Sequence, residues 1–433
     1  MKIRPLLPLL FVLILGPTQS WGQQGILLQQ MPDRIWSQRF QPANLLNGEY
    51  SSFRYGGQGS VYAGNAQATL DGIFVADGFI TETAKDQIIS QLGPDQVVNL
   101  GYHLGLAAVN IKAGNLPLGF YLDQRLDATV GFNDPNTFGL IFKGNGPYAG
   151  DTVSDAGISG RLYSTRRLGV GTAFEFGKLK FGVRLNLIQG LRMADLDRLN
   201  YSLYTHPDGI QIDLQANYSL SATADLGNVG IASFQGFGAS LDLGVTYDIN
   251  EKFRVEASVT DAGFTSWQTE KIEDNIDIDW QGVSITSLFD DSIPEILEAE
   301  VDSLRELVFP DTVQSNLTLS TPLSLRLGGT MQVGDHGELG AMIMFNPSRS
   351  GGFTQLPLIN LRYQHEVVTG LRLAANAYGG GTDVYGVGVM AAYRLAINDW
   401  AVDLALGGEN VIGYLAPSAG RGFSFFGGIG VQL

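Results

Sequence analysis

Residues 237–249 alternate between apolar and polar without exception. Phe237, Ala239, Leu241, Leu243, Val245, Tyr247 and Ile249 share one parity, while Gly, Ser, Asp, Gly, Thr and Asp fill the other. Asn250-Glu251-Lys252 turns the chain, after which Phe253, Val255, Ala257 and Val259 alternate with Arg254, Glu256, Ser258 and Thr260. A period of two over this length predicts strands with one greasy and one wet face. From Phe237 to Tyr247 is ten residues, which at ~3.4 Å per residue and a tilt near 45° rises roughly 24 Å. That matches the ~25 Å apolar band of an outer-membrane barrel, which carries aromatic residues at both rims. A hairpin of a soluble sandwich would share the alternation, so the rest of the chain has to decide.

The pattern recurs along most of the chain. Leu118, Phe120, Leu122, Leu126, Ala128, Val130 and Phe132 oppose Asp123, Arg125, Asp127 and Thr129. Residues 170–187 and 210–220 repeat it, as do 323–333, 339–345, 356–367, 371–377, 385–397 and 423–433, with tight turns such as Asn398-Asp399 between them. Soluble sheets use strands of about five or six residues, whereas long dyad segments joined by turns are the mark of a transmembrane barrel. The expected fold is therefore all-β: a transmembrane antiparallel β-barrel of about 14 strands. Closure pairs every backbone group that would otherwise face hydrocarbon.

Several stretches break the alternation and define the organisation. Residues 1–22 read as a signal peptide: basic Lys2 and Arg4, an apolar run from Leu6 to Leu15, a Gly16-Pro17 break, and Ser20-Trp21-Gly22 before the cut. Residues 23–50, with Trp36, Phe40 and Pro42-Ala43, form an N-terminal periplasmic lead or a plug. Residues 51–433 form the barrel, with helical character at 81–92 and a glycine-rich connection at 144–150. That connection lacks the Lys-Ser/Thr of a phosphate loop. An acidic insertion spans 270–311, and within it residues 285–307 have the pattern of an amphipathic helix. Ile293, Leu297 and Leu304 lie on one stripe, with Glu295, Glu298 and Asp302 outside it. This helix is expected to cap one mouth, gate the lumen or receive a partner; the pattern leaves the three readings open.

Composition removes other classes. The chain has 43 Asp and Glu against 27 Lys and Arg and a formal net charge of -16, which argues against nucleic acid as a partner. It has no cysteine, so an exported chain must be held by burial and a closed hydrogen-bond network. Outside the leader no apolar run is long enough for a transmembrane helix. Of the four histidines only His103 takes the inward parity, and no His or carboxylate cluster has metal-ligand spacing. No metal, cofactor or catalytic residue is expected, and a barrel hydrolase built on His103 is a remote alternative. The lumen-facing set is mixed in sign: Asp123, Arg125, Asp127, Arg184, Asp213, Asp242, Arg254, Glu256, Arg326 and Arg394. Such mixing predicts ion pairs that line or fill the interior rather than a single-sign selectivity ring.

Gly236 to Tyr247, Val259-Thr-Asp-Ala-Gly-Phe-Thr-Ser-Trp267, Lys180 to Gly190, Thr321-Pro322 and the last hairpin with Glu409-Asn410 resemble, in order, a family of uncharacterised outer-membrane barrels of Bacteroidetes. That family looks related to FadL-like barrels and to the PorV-type barrels of type IX secretion. The resemblance implies the fold but carries no functional residue. The terminal Leu433 departs from the aromatic usual in outer-membrane barrels. The leading expectation is a passive outer-membrane channel or transporter for small amphipathic or hydrophobic molecules. The alternative is a closed scaffold or shuttle barrel for envelope or secretion proteins. Outer-membrane lipid is a partner in both.

Overall fold

The computed structural model describes residues 26–47, 53–65, 81–93, 96–114, 116–209, 211–224, 226, 233–280, 312–347, 356–381, 383–398, 400–416 and 422–432. Sixteen strands among these residues form one antiparallel sheet. They are β1 (Phe53–Asn65), β2 (Gln96–Ala113), β3 (Leu116–Phe132), β4 (Thr152–Phe176), β5 (Leu179–Thr205), β6 (Ile212–Ala222), β7 (Gly236–Asp248) and β8 (Phe253–Trp280). Then follow β9 (Val313–Ser320), β10 (Ser324–Val333), β11 (Gly337–Phe345), β12 (Leu356–Val368), β13 (Leu371–Gly381), β14 (Asp383–Ile397), β15 (Trp400–Gly408) and β16 (Gly422–Gln432). The sheet closes where β1 pairs with β16, from Arg54↔Gln432 to Gly64↔Gly422. Two staves are each made of two strands: β6 with β7, both between β5 and β8, and β9 with β10, both against β8. The result is a closed 14-stranded barrel.

The tight turns after β4, β7, β10, β12 and β14 lie at one end. Gly177 and Gly334 sit there at φ 63° and 64° and Asn398 at φ 51°, the left-handed backbone that such hairpin turns require. The longer connections gather at the other end. Between the two ends runs an outward belt of exposed Val61, Leu168, Leu185, Leu187, Leu327, Ile343, Leu361, Leu373, Leu406 and Ile429. Tyr55, Tyr247, Tyr363, Tyr393 and Trp400 mark its turn-side rim, and Phe237, Phe264, Phe345, Tyr385 and Phe425 its loop-side rim, all exposed. An apolar belt between aromatic girdles on a closed sheet is what a bilayer selects.

On one flank the strands overrun the belt. β4, β5 and β8 reach 25, 27 and 28 residues, against the ~9–11 that a membrane crossing needs. Their far halves, with β6, make a sheet beyond the loop-side rim. Residues 270–280, read above as the start of an acidic insertion, belong to this sheet: every one pairs with β6, from Ile212↔Trp280 to Ala222↔Glu270. Ile272, Ile276 and Ile278 alternate with Glu273, Asn275, Asp277 and Asp279, while Asp274 interrupts the apolar row, and the density of charge hid the period. The proposed helix at 285–307, with Ile293, Glu295, Leu297, Glu298, Asp302 and Leu304, lies outside the described residues, as does the leader at 1–22. Two helices, α1 (Glu82–Gln91) and α2 (Asn136–Lys143), bury Ile88, Leu92 and Phe138 against Val98, Phe132 and Ile158 at the same end.

Candidate functional site

The lumen is filled by the N-terminal segment, residues 26–47. It descends from the loop end to the turn end as a helical turn (Ile26–Gln29) and two 3-10 turns (Ile35–Arg39 and Pro42–Leu46). Nearly all of it is buried, polar residues included. The segment has no strand period because it meets two different walls.

One wall is apolar. Inward positions of β11–β16 present Met342, Met344, Leu358, Ala374, Tyr378, Met390, Ala392, Ala405 and Phe426. Ile26 packs on the first of these, and Leu27, Leu28, Met31, Ile35 and Trp36 on the others. Small residues shape the seat: a Cβ added at Gly428 would stand 2.8 Å from the Trp36 ring. Opposite, a Cβ at Gly182 would stand 2.2 Å from the Pro42 carbonyl carbon, and one at Gly244 would stand 1.8 Å from Gln41 Oε1. Glycine is used here because backbone passes against backbone.

The other wall is polar and grips the segment. Gln38 Oε1 accepts from Asn110 (2.7 Å) and Tyr121 (3.1 Å), and Gln41 Nε2 donates to the Val245 (3.2 Å) and Ala257 (3.1 Å) carbonyls. Arg39 pairs with Asp123 at 3.4 Å. Arg184 donates to the Arg39 carbonyl at 2.8 Å while pairing with Asp242 at 2.6 Å. Arg326 donates to the Phe40 carbonyl and lies 5.1 Å over its ring. Nearer the turn end, Asp33 accepts from Arg372 at 3.1 Å, Arg34 pairs with Asp403 at 2.9 Å, and Asp403 also holds Arg394 at 2.7 Å.

Of the residues expected to line the lumen, Asp123, Arg125, Asp127, Arg184 and Asp242 converge in one buried network with Arg39 and Asp261. Arg326 and Glu256 lie beside the segment around Phe40 and Gln41. Arg394 is lumenal and paired. Arg254 instead bonds Asp248 at 2.6 Å by the β7–β8 turn. Asp213 lies on the sheet beyond the rim, half exposed and 3.3 Å from His206. His103 packs edge-on to Phe40, centroids 6.4 Å apart. Sequence reasoning missed Arg34, Arg39, Arg167, Asp261, Asp403 and Glu409. Arg167 stands opposite Asp123 on β3 and keeps the inward parity of β4, but the adjacent Arg166 puts charge on both parities and hid it.

The barrel wall is irregular at one height. β7 shifts register around Asp242, Asp261 on β8 adopts φ 61°, and Thr321-Pro322 separates β9 from β10. Proline has no N–H to give to the ladder, and Thr321 bridges the gap through its N–H, donating to the Gly263 carbonyl at 3.0 Å, and its hydroxyl, donating to the Asp261 carbonyl. Behind it, Asp261 is held by Arg125 and Arg167. A cavity of about 40 Å³ lined by Arg161, Tyr163, Trp267, Leu319 and Pro322 reaches the break, with room for a few water molecules.

At the loop end Glu409, immediately after β15, fastens the top of the segment: its Oε1 accepts the Leu27 N–H at 3.0 Å. Burial pushes this carboxyl well above the usual carboxylate range, opposed by the backbone N–H groups of Leu27 and Ile26.

No curated protein matches the sequence. Among solved structures, the toluene transporter TodX of Pseudomonas putida aligns over 92% of this chain and 93% of its own, at 10% identity and a TM-score of 0.47. The deltaS2 mutant of TodX, described as a monoaromatic hydrocarbon channel, aligns over 92% and 94%, at 11% identity and a TM-score of 0.50. A FadL homologue of Pseudomonas aeruginosa aligns over 96% and 97%, at 11% identity and a TM-score of 0.40. Identities this low speak to the fold alone, a closed β-barrel. In sequence, residues 50–400 match the family of unknown function DUF5723, and the chain belongs to that family.

Proposed function

We propose that the protein is an outer-membrane channel for small hydrophobic or amphipathic molecules, held closed by residues 26–47. The observation that carries this reading is the apolar patch on the inner wall of β11–β16 and its cover of Ile26, Leu27, Leu28, Met31, Ile35 and Trp36. The filler is a separate, non-strand segment, and its withdrawal uncovers an apolar patch that a hydrophobic solute can occupy. The segment is fastened by hydrogen bonds and ion pairs, each with a net contribution of about 0.5–1.5 kcal/mol for a neutral pair, so it can be released piecemeal. The break at Thr321-Pro322 supplies a place where solute can leave sideways into lipid. The outer membrane is the setting that the aromatic girdles, the short-turn end and the exported leader support.

The test is uptake of an uncharged aromatic reporter into proteoliposomes by the wild type and by Gly182→Val. A valine at 182 cannot coexist with the Pro42–Ala43 backbone, so the segment must shift. Uptake above empty vesicles that rises several-fold in the variant supports a closable channel. Uptake equal to empty vesicles for both proteins contradicts it and leaves a closed scaffold.

A further inference from the structure

Glu409 is fully buried with no cation beside it, and burial favours its neutral form over a costly unpaired carboxylate. Among the described residues no Lys, Arg or His lies within ion-pair distance of it. Its Oε1 accepts from the segment, while its Oε2 is buried without a hydrogen-bond partner, as is the Oδ1 of Asn376. A Cβ added at Gly388 would stand 2.3 Å from Asn376 Oδ1 and 3.2 Å from the Glu409 Cα, so this glycine leaves room beside both residues. Glu409 Oε2 is thus an unmatched polar atom at the edge of an apolar patch. What touches its Oε1 now is the backbone N–H of an apolar residue, Leu27.

A second, separate observation lies above the mouth. On β8 the odd positions from Thr265 and Trp267 upward hold the lumenal parity without a register shift, so Glu273, Asp277 and Asp279 continue that face beyond the rim. Asp213 stands directly opposite Asp279 across the β6–β8 pair. Like charges placed in register cost stability. Lys271 on the same face pairs with Glu273 at 2.9 Å, which leaves an excess of negative charge there, and such an excess raises the local concentration of the opposite charge.

We infer that Glu409 is a binding site for an apolar molecule bearing a primary ammonium group, which displaces the first turn of the segment and is drawn in by the acidic wall. This deepens the channel reading by naming the cargo as an amphipathic amine. As the ammonium arrives the Glu409 carboxyl releases its proton to solvent, and the ammonium supplies the paired cation and an N–H donor for Oε2. Its apolar body takes the wall vacated by Ile26 and Leu27.

The experiment is calorimetric titration of the full chain in detergent with three probes of matched size: phenethylammonium, phenethyl alcohol and phenylacetate. The expected order places phenethylammonium at least tenfold tighter than the alcohol, with phenylacetate weakest. In Glu409→Gln, which keeps the shape and loses the charge, the ammonium falls to the affinity of the alcohol, whose own binding is unchanged. Equal affinities, a preference for phenylacetate, no binding of any probe, or an ammonium preference that survives Glu409→Gln each overturns the inference. Should Glu409→Gln fail to fold, the wild-type order decides alone. The uptake test above uses an uncharged reporter, so a failure here is separable from a failure of the channel itself.

Discussion

Deleting residues 26–47 is expected to turn a silent barrel into a steadily conducting one. Fourteen staves ~4.8 Å apart and tilted about 40° place opposite strand axes roughly 28 Å apart. Side chains from the wall alone cannot close that width, since barrels much above eight strands leave a channel unless plugged. The segment supplies the missing volume with Trp36, Ile26, Leu27, Met31 and Leu45, all nearly free of solvent contact. Folding should survive the deletion, because the sheet closes through β1 and β16 with Arg54↔Gln432 independently of the segment. Planar-bilayer recording checks this. Long-lived steps in the deletion variant against rare events in the wild type are expected, and silence in a variant that still migrates as a folded barrel would mean that the walls collapse inward.

The second large effect is on stability. Arg184 and Asp242 are both fully buried and 2.6 Å apart, and Asp242 also accepts from Asn186 at 2.8 Å and from the Asp261 N–H at 2.6 Å. Arg184→Ala strands a carboxylate in a site without water and removes the donor to the Arg39 carbonyl. Removing one partner of a buried pair costs about 3–5 kcal/mol, which should appear as a clear drop in the temperature at which the folded form is lost in heat-modified gel mobility. The double variant with Asp242→Ala should recover part of that loss, though not all, because Asn186 and Asp261 lose their acceptor. A double variant no better than Arg184→Ala alone would mean that the pair does not act as a unit.

The fold was legible because lipid imposes a period of two. Leu241, Leu243 and Val245 face outward on β7 as their alternation requires, and Phe237 and Tyr247 mark its rims. The same logic extended into residues 270–280, where dense charge, including Asp274 in the apolar row, masked the alternation. The site was legible only in part. Asp123, Arg125, Asp127, Arg184 and Asp242 take the inward parity of regular strands, but Arg167 stands beside Arg166, with charge on both parities, and Asp261 sits at positive φ next to a register shift. Parity cannot be carried across Asp261. Asp213 has the right parity on a strand that has already left the membrane. The segment itself carries no period, since Leu27 and Trp36 answer an apolar wall while Gln38 and Arg39 answer a polar one. Its partners lie tens to hundreds of residues away, and nothing local marks them.

The central claim, that residues 26–47 are a removable closure, is tested most directly by tethering them. The chain has no cysteine of its own, so one engineered pair is unambiguous. A Cβ added at Gly430 would stand 3.3 Å from Ile35 Cγ2, which puts the two Cβ atoms within about 5 Å, near the reach of a disulfide. Ile35→Cys with Gly430→Cys, combined with the Gly182→Val substitution that loosens the segment, should admit the uncharged reporter only when reduced. Oxidation should return uptake to the level of empty vesicles, and fresh reductant should restore it. Uptake that is the same in both redox states, with the disulfide confirmed by mass, would contradict the account.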